Sequence, residues 1–337
     1  MFDTRKLDTP LKLPLTMWKD PEAPHSLENL SKTETIRLIR VELKQYVLIA
    51  TTIISHYRSS IMHFVKISSE LIYTVDSPAS FVFSIAAANT DHQKTIEENL
   101  TISPAIDTQW CQINDFGCRG LRLKVEPCEL NIRYSATVQL SPETEQVRYL
   151  NEVDYKELPT SILPFLNPSR YCESDRLGRF AWKEFGQLQR GYSRVDEICN
   201  WVNAHIDYVA GSTDASSSAC DVLIQRAGVC RDFAHVSIAL CRALGIPARY
   251  VSGYAVGLEP PDFHGFFEVY LEDRWYLFDA TRMAPVSGLV RIGIGRDAAD
   301  TSFANIVGEA TMTSINVEAT SADSNFLYDN GNPVSTA

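Results

Sequence analysis

One cysteine, Cys230, stands where a nucleophile would be expected. Gly228 interrupts the chain just ahead of it, and apolar residues then recur at roughly helical spacing until Gly245 and Pro247. This pattern predicts a buried helix whose first turn carries Cys230. Unpaired backbone N–H groups and the positive end of the helix dipole favour a thiolate over a thiol there. The thiolate is the nucleophilic form, so this position distinguishes Cys230 from the other cysteines.

A hairpin that follows the helix supplies an imidazole and a carboxylate. Residues 264–271 and 274–279 have the composition of two strands, joined by a tight two-residue turn. The resulting register places Asp279 opposite Phe266, with His264 two residues further along the same face. The imidazole and the carboxylate can therefore touch, which leaves the second ring nitrogen free for the thiol.

Cys230, His264 and Asp279 have the residue types of a catalytic triad. His264 would take the proton of the thiol and later protonate a leaving amine, while Asp279 would fix the ring tautomer and stabilise its positive charge. Each residue alone has an ordinary explanation, since an isolated buried cysteine is usually a small hydrophobic residue. A cysteine at a helix start, followed by histidine and aspartate on one face of a hairpin, is much less ordinary and favours catalysis.

These segments resemble the transglutaminase-like cysteine hydrolases of bacteria, relatives of animal transglutaminases and peptide N-glycanases. The matching words are AGVCRDFAH at 227–235, ALGIPARYVSGY at 243–254 and WYLFD at 275–279, with further similarity at 168–175 and 291–300. The resemblance covers roughly residues 65–310. It implies a papain-like α+β core in which Cys230, His264 and Asp279 form the triad.

Two departures from the family pattern lie beside the triad. Gly265 and Phe266 follow the histidine, where family members usually carry alanine and tryptophan. Ala280 follows the acid, where they usually carry proline. Neither departure changes a reacting group, but both could alter the pocket wall. The resemblance therefore supports the chemistry more firmly than the choice of substrate.

Other residues near the motif are candidates for supporting roles. An oxyanion needs hydrogen-bond donors, and the backbone N–H of Cys230 is the natural first one. Tyr208 is a candidate for the second donor, and Phe266 is a candidate for contact with substrate. His235 lies about 140° around the helix from Cys230, so we expect a structural, hydrogen-bonded residue. Asp232 is expected to interact with helix N–H groups as a first-turn acid.

The composition excludes several classes of protein. With 337 residues, 45% of them hydrophobic, the chain can bury one large core or two ordinary ones. The formal net charge of −11 argues against nonspecific binding to nucleic acid, and no apolar stretch is long enough to predict a membrane span. The eight cysteines show no metal-ligand spacing. We therefore expect a reducing, cytoplasmic setting and no metal or organic cofactor.

Four regions can be distinguished along the chain. Residues 1–62 lack a regular pattern and are either a poorly ordered extension or absent from the native product, with translation starting at Met62. Alternating apolar residues predict an antiparallel β-sandwich over 63–155, and the transglutaminase-like catalytic domain is expected over 156–310. The Ser/Thr/Asn-rich residues 311–337 are expected to be a flexible tail.

Two helix starts within the catalytic domain carry the capping-box pattern. Ser193 with Asp196, and Ser218 with Asp221, place a hydroxyl and a carboxylate three residues apart. The small, polar tract 211–218 between these helices is expected to form a flexible loop close to the site.

The sequence thus predicts a two-domain α+β enzyme in which a β-sandwich precedes a papain-like core. Cys230 would attack an amide bond of a peptide or protein and form a thioester that a second nucleophile resolves. Water would make the protein an amidase or peptidase, and an amine would make it an acyltransferase of the transglutaminase type. The resemblance favours hydrolysis. A noncatalytic binding protein that retains the fold is the alternative from another class, and thiol reactivity separates the two.

Overall fold

A computed structural model describes residues 59–60, 62–114, 116–145, 150–321 and 332–336 of the chain. The chain divides into two compact units, 1–57 and 58–337, and every described element belongs to the second. The expectations for residues 1–58 therefore lie outside the described residues. No helix among the described residues is long and apolar enough to cross a membrane.

Two antiparallel sheets of four strands each form a β-sandwich. The strands of the first sheet are β2 (His63–Val75), β4 (Gln93–Ser103), β7 (Cys128–Leu140) and β16 (Ala310–Ser321), in the order β16-β2-β7-β4. Those of the second are β3 (Ala79–Phe83), β5 (Thr108–Gln112), β6 (Arg119–Val125) and β15 (Ala304–Val307), in the order β15-β3-β6-β5. Every second side chain of β2 is buried, and these side chains pack against the second sheet.

Residues 304–321 complete this sandwich, which corrects two expectations. β16 runs antiparallel to β2 from Val65 to Val75, so the first part of the expected flexible tail is a strand. The sandwich is also not confined to 63–155, because β15 and β16, within residues 304–321, belong to it as well. β16 is an edge strand whose one buried side chain is Val317. Its other side chains are mostly polar and exposed, which gives the segment the composition of a tail.

The remaining short strands tie distant segments together. Three of them form a small sheet in the order β1-β8-β17, made of β1 (Ser59–Ser60), β8 (Glu143–Thr144) and β17 (Val334–Ser335). Two others, β9 (Asp207–Tyr208) and β10 (Ala227–Gly228), pair in parallel just before the cysteine. Residues 334–335 thus also lie in a sheet rather than in a flexible tail.

The domain that carries Cys230 combines four helices with a four-stranded antiparallel sheet. The helices are α1 (Ser174–Phe185), α2 (Tyr192–His205), α3 (Ala219–Gln225) and α4 (Cys230–Ala243). The strands are β11 (Ala248–Ala255), β12 (Phe263–Leu271), β13 (Arg274–Phe278) and β14 (Leu289–Gly295), in the order β13-β12-β11-β14. We call these four strands the core sheet. The predicted α+β class is confirmed, and α4 begins at Cys230 as its sequence pattern indicates.

The two predicted capping boxes have different outcomes. Ser218 and Asp221 form one at the start of α3, as expected. Ser193 does not cap α2, because that helix begins at Tyr192, directly after Gly191. The φ angle of Gly191 is 103°, a conformation that glycine adopts without steric cost. The glycine therefore sets the helix start, and Ser193 lies inside the helix.

Candidate active site

The start of α4 is held by a carboxylate two residues after Cys230. Asp232 accepts a hydrogen bond of 2.9 Å from the backbone N–H of Val229, which confirms the expected interaction with the helix start. A Cβ atom at Gly228 would lie 2.8 Å from the Cβ of Asp232, so the turn requires glycine here. The hydroxyl of Thr213 also donates to Asp232. These contacts fix the cysteine and tie the polar loop 211–218 to it.

The hairpin of β12 and β13 has the predicted register. Leu271 lies opposite Arg274, and the pairing continues without a shift along both strands. The side chains of His264 and Asp279 meet as expected, with 3.0 Å between Nε2 of the ring and Oδ2 of the carboxylate. Both residues are buried, at 2% and 3% exposure. The structure therefore brings the imidazole and the carboxylate together in a dry environment.

Asp279 is oriented by a turn that the sequence reasoning did not identify. Its Oδ1 accepts hydrogen bonds from the backbone N–H (2.8 Å) and the hydroxyl (2.7 Å) of Thr281. The side-chain amide of Asn203, on α2, donates to the carbonyl oxygens of Ala280 and Thr281. An aspartate that bonds the backbone two residues later is typical of an Asx turn, so Asp-x-Thr was the available signal. Because Oδ1 is occupied, Oδ2 faces the histidine.

The second nitrogen of His264 is directed to the cysteine. Burial alone would lower the pKa of His264, but hydrogen bonds and charges from Asp279 and Cys230 outweigh burial and raise the pKa to about 10. Among the described residues Nδ1 has no partner of ordinary hydrogen-bond geometry, so the contact with the thiol is a loose one. Such contacts often tighten only when substrate is bound. The thiol also lies 4.0 Å from the carbonyl oxygen of Phe263, where β12 begins.

Phe266 does not have the position expected for substrate contact. Its side chain is fully buried, and its ring packs edge-on against His264 with 4.6 Å between ring centroids. Side chains alternate along β12, so Phe267 and Val269 pack with the apolar side chains of α4, whereas Phe266 packs in a separate cluster on the other face of the core sheet. Phe266 therefore packs against the imidazole ring and is not available to a ligand.

The glycine after the histidine has a steric reason. A Cβ atom at Gly265 would lie 2.6 Å from the hydroxyl oxygen of Tyr250 and 3.2 Å from the Cα of Arg231. The hydroxyl of this buried tyrosine thus takes the space that the methyl group of the usual family alanine would need. The absence of a side chain also lets the first turn of α4 approach β12 closely.

Tyr208 lies beside the cysteine, as its candidate role requires. It is opposite Gly228 in the parallel pair of β9 and β10, two residues before Cys230. Burial and the nearby Cys230 thiol raise the pKa of Tyr208 to about 12, and its hydroxyl interacts with both the backbone N–H and the thiol of Cys230. The side chain remains 43% exposed. An ordinary phenol of this kind can donate a hydrogen bond at neutral pH.

His235 has the structural role that its helical position predicts. Its side chain is fully buried, and Nε2 accepts a hydrogen bond of 3.1 Å from the backbone N–H of Ala298. Burial lowers the pKa of His235 to about 3, so the ring is neutral. It stacks on Tyr171, with 5.1 Å between ring centroids. The described residues contain no group of three or more His, Cys, Asp or Glu side chains that could hold a metal ion.

Similarity to known proteins extends over both domains. Residues 182–280 match the transglutaminase-like superfamily, and residues 62–161 match the bacterial transglutaminase N-terminal domain. The chain is 44% identical to a Cytophaga hutchinsonii protein described as a "Putative Cysteine Protease", whose crystal structure superposes with a TM-score of 0.79 and covers 83% of this chain and 99% of that one.

Mycobacterial relatives are more distant. The uncharacterized protein ML0607 of Mycobacterium leprae is 25% identical over 244 residues, which cover 68% of this chain and 87% of that protein. The uncharacterized protein Rv2569c of Mycobacterium tuberculosis is 33% identical over 124 residues, which cover 37% of this chain and 36% of that protein. With the two family regions and the Cytophaga relative, these matches agree with the motifs around Cys230, and the chain belongs to the transglutaminase-like superfamily.

Proposed function

We propose that this protein is a cysteine hydrolase that cleaves amide bonds of peptides or proteins through Cys230, His264 and Asp279. The observation that carries the proposal is the buried hydrogen bond of 3.0 Å between His264 and Asp279, next to a cysteine at the start of a helix. The transglutaminase-like fold and the Cytophaga relative support hydrolase chemistry.

The acylation step uses the two nitrogens of one ring. Nε2–H of His264 donates to Asp279, so Nδ1 is the atom that exchanges a proton with Cys230. Transfer of the thiol proton to Nδ1 gives a thiolate beside an imidazolium, which Asp279 stabilises. The thiolate attacks the amide carbonyl carbon, and the imidazolium then protonates the leaving amine as the C–N bond breaks. The product is a thioester on Cys230.

The oxyanion and the second half of the reaction need two further groups. The backbone N–H of Cys230 and the hydroxyl of Tyr208 flank the thiol, and both would donate to the developing oxyanion. His264, now neutral, takes a proton from water as that water attacks the thioester. Collapse of the second tetrahedral intermediate releases the carboxylic acid and returns the thiol. Every proton in the cycle passes through Nδ1, and no step requires a metal ion or an organic cofactor.

A reducing, cytoplasmic location is also part of the proposal. All eight cysteines are free thiols in the structure. A nucleophilic cysteine must stay reduced, and disulfides are rare in the cytosol. Mass spectrometry of native protein alkylated without prior reduction should find every cysteine labelled after unfolding, and a disulfide involving Cys230 would contradict this location.

Thiol reactivity tests the mechanism without knowledge of the substrate. Cys230, Cys111 and Cys128 are all partly exposed, so accessibility alone predicts similar rates of alkylation. We expect iodoacetamide to label Cys230 much faster than the other two below about pH 7, where ordinary thiols are protonated. His264→Ala should remove this advantage. Equal labelling of the three thiols would favour a noncatalytic binding protein.

Turnover then identifies the reaction. Fluorogenic peptide amides and unfolded protein substrates can be screened with wild type and with Cys230→Ala, which should abolish turnover and leave the fold intact. Turnover retained by the variant would remove Cys230 from the mechanism. Adding a primary amine to an accepted substrate separates the two fates of the thioester. Hydrolysis predicts the free acid as the main product, whereas a new amide would show acyl transfer.

A further inference from the structure

The segment that leads into β12 carries a carboxylate, Asp262, next to Phe263, whose carbonyl oxygen faces the thiol. Asp262 is exposed and lies two residues before His264 in sequence. Its Oδ1 accepts a hydrogen bond of 2.7 Å from the backbone N–H of Phe263. The carbonyl oxygen of the same Phe263 is the atom that lies 4.0 Å from the Sγ of Cys230. The Asp262 carboxylate and the Cys230 thiol are therefore neighbours of the same residue. The carboxylate accepts from the N–H of Phe263, and the thiol lies near its carbonyl oxygen.

The charge of Asp262 acts on the groups of the site. After burial and Cys230, the charge of Asp262 also helps to raise the pKa of Tyr208. Burial by the surrounding atoms raises the pKa of Asp262 itself, against the opposing effects of the Phe263 N–H and His264. The carboxylate is thus accessible to solvent and yet acts electrostatically on Tyr208 and His264.

No lysine or arginine pairs with Asp262 among the residues that the structure describes, and the one basic group that acts on it is His264. Neither lysine nor arginine contributes to its pKa. Arg231, which follows the nucleophile, is held by Asp232 at 2.9 Å. His264 is already paired with Asp279 and only partly offsets the burial of Asp262, whose pKa stays raised. A cationic ligand at the site would supply further positive charge to this carboxylate.

We propose that Asp262 makes this site selective for substrates that carry an ammonium or guanidinium group close to the scissile amide. This inference rests on the proposed function, since it assigns the substrate class of the same site. Asp262 is a specificity-determining residue in this scheme. It attracts the substrate by charge and takes no part in proton transfer.

The test measures the charge preference of Cys230 with small thiol reagents. Three methanethiosulfonates differ mainly in charge: the cationic trimethylammonioethyl reagent, the anionic sulfonatoethyl reagent and the neutral methyl reagent. Each transfers its thioalkyl group to the thiolate and releases methanesulfinate. Rate constants at Cys230 are read by peptide mass spectrometry for wild type, Asp262→Asn and Glu259→Gln. Glu259 is an exposed carboxylate in the same segment and provides the matched control.

The proposal predicts that wild-type Cys230 reacts faster with the cationic reagent than with the anionic one. In Asp262→Asn the ratio of these rates should fall about fivefold, the order expected for one charge in a largely aqueous environment, and Glu259→Gln should leave it nearly unchanged. Added salt should reduce the wild-type ratio.

Two results would overturn the inference, and they differ in what else they reject. An unchanged ratio in Asp262→Asn, with rapid reaction of the neutral reagent at Cys230, removes the role of Asp262 and leaves the proposed hydrolase intact. Reaction of the neutral reagent with Cys230 no faster than with Cys111 and Cys128 rejects both. The neutral reagent also serves as a control for folding. If it reacts with Cys230 at a similar rate in wild type and in Asp262→Asn, the variant retains the site.

Discussion

A buried ionic network in the core sheet provides the sharpest quantitative prediction. Glu268, on β12, lies between Arg249 on β11 and Arg291 on β14, at 2.7 Å and 2.6 Å from their guanidinium nitrogens. Glu268 is fully buried and lies on the same face of the strand as His264, four residues away. The network joins three strands of the sheet that positions the imidazole. Glu268→Gln should therefore destabilise the protein strongly.

The size of the effect follows from the electrostatics of the carboxylate. Burial alone would raise the pKa of Glu268, but Arg249 and Arg291 outweigh burial and lower the pKa from 4.5 to about 2. A lowering of this size corresponds to roughly 3 kcal/mol. Removing the charge leaves two buried guanidinium groups without a counter-ion, which typically costs about 3–5 kcal/mol. Because the folded-state pKa is lowered, this contribution is present above about pH 4.5 and is lost as the pH falls towards 2.

Urea unfolding followed by tryptophan fluorescence measures this prediction. The ring of Trp275 lies 4.0 Å from the Arg249 guanidinium, so one of the five tryptophans of the chain lies next to the network. Glu70→Gln is the control, because Glu70 pairs with the exposed Arg133 and its loss should change stability little. At pH 7 the free energy of unfolding of Glu268→Gln should lie about 3–5 kcal/mol below that of wild type. A difference below about 1 kcal/mol, or one that does not shrink in acid, would refute the reasoning.

Three further predictions concern the site. Asp279→Asn should lower the pKa of the catalytic imidazole, slow alkylation of Cys230 at neutral pH and reduce kcat about 10³–10⁴-fold; unchanged alkylation rates would contradict it. Tyr208→Phe should reduce kcat roughly 10–100-fold in a turnover assay and change the rate of alkylation of Cys230 much less, whereas full activity would exclude the hydroxyl as an oxyanion donor. Gly265→Ala should lower the free energy of unfolding by about 1–3 kcal/mol through the clash with Tyr250, and adding Tyr250→Phe should recover part of it; thermal denaturation of the single and double variants compares them.

The site residues could be predicted because their placement depends on local patterns. A glycine before the cysteine, an acid in the first turn and a two-residue hairpin turn fix Cys230, His264 and Asp279 almost independently of the rest of the chain. The turn residue Glu272 has a φ angle of 55°, in the left-handed region that such turns use. Short-range geometry of this kind is visible in sequence order.

The errors arose where long-range contacts decide the outcome. β16 pairs with β2 more than two hundred residues earlier, and its polar sequence contains no sign of that partner. Phe266 follows the histidine as a pocket residue would, but its burial depends on side chains from remote segments, including Val334 near the end of the chain. Asn203 supports the Asp279 turn from another helix. Each of these contacts is set by tertiary packing and not by local preference.

The arrangement of the core sheet explains why the two domains depend on each other. One face of β11 continues into the sandwich, where the hydroxyl of the buried Tyr254 donates to the carbonyl oxygen of Ile85 (2.7 Å) and lies 3.0 Å from the hydroxyl of Ser69. Val290 and Ile292 of β14 belong to the same apolar cluster as the sandwich interior. Removing the sandwich would expose these side chains to water and leave polar groups without partners. The sheet that aligns His264 with Asp279 is therefore stabilised by the N-terminal domain, and the two domains act as one folding unit.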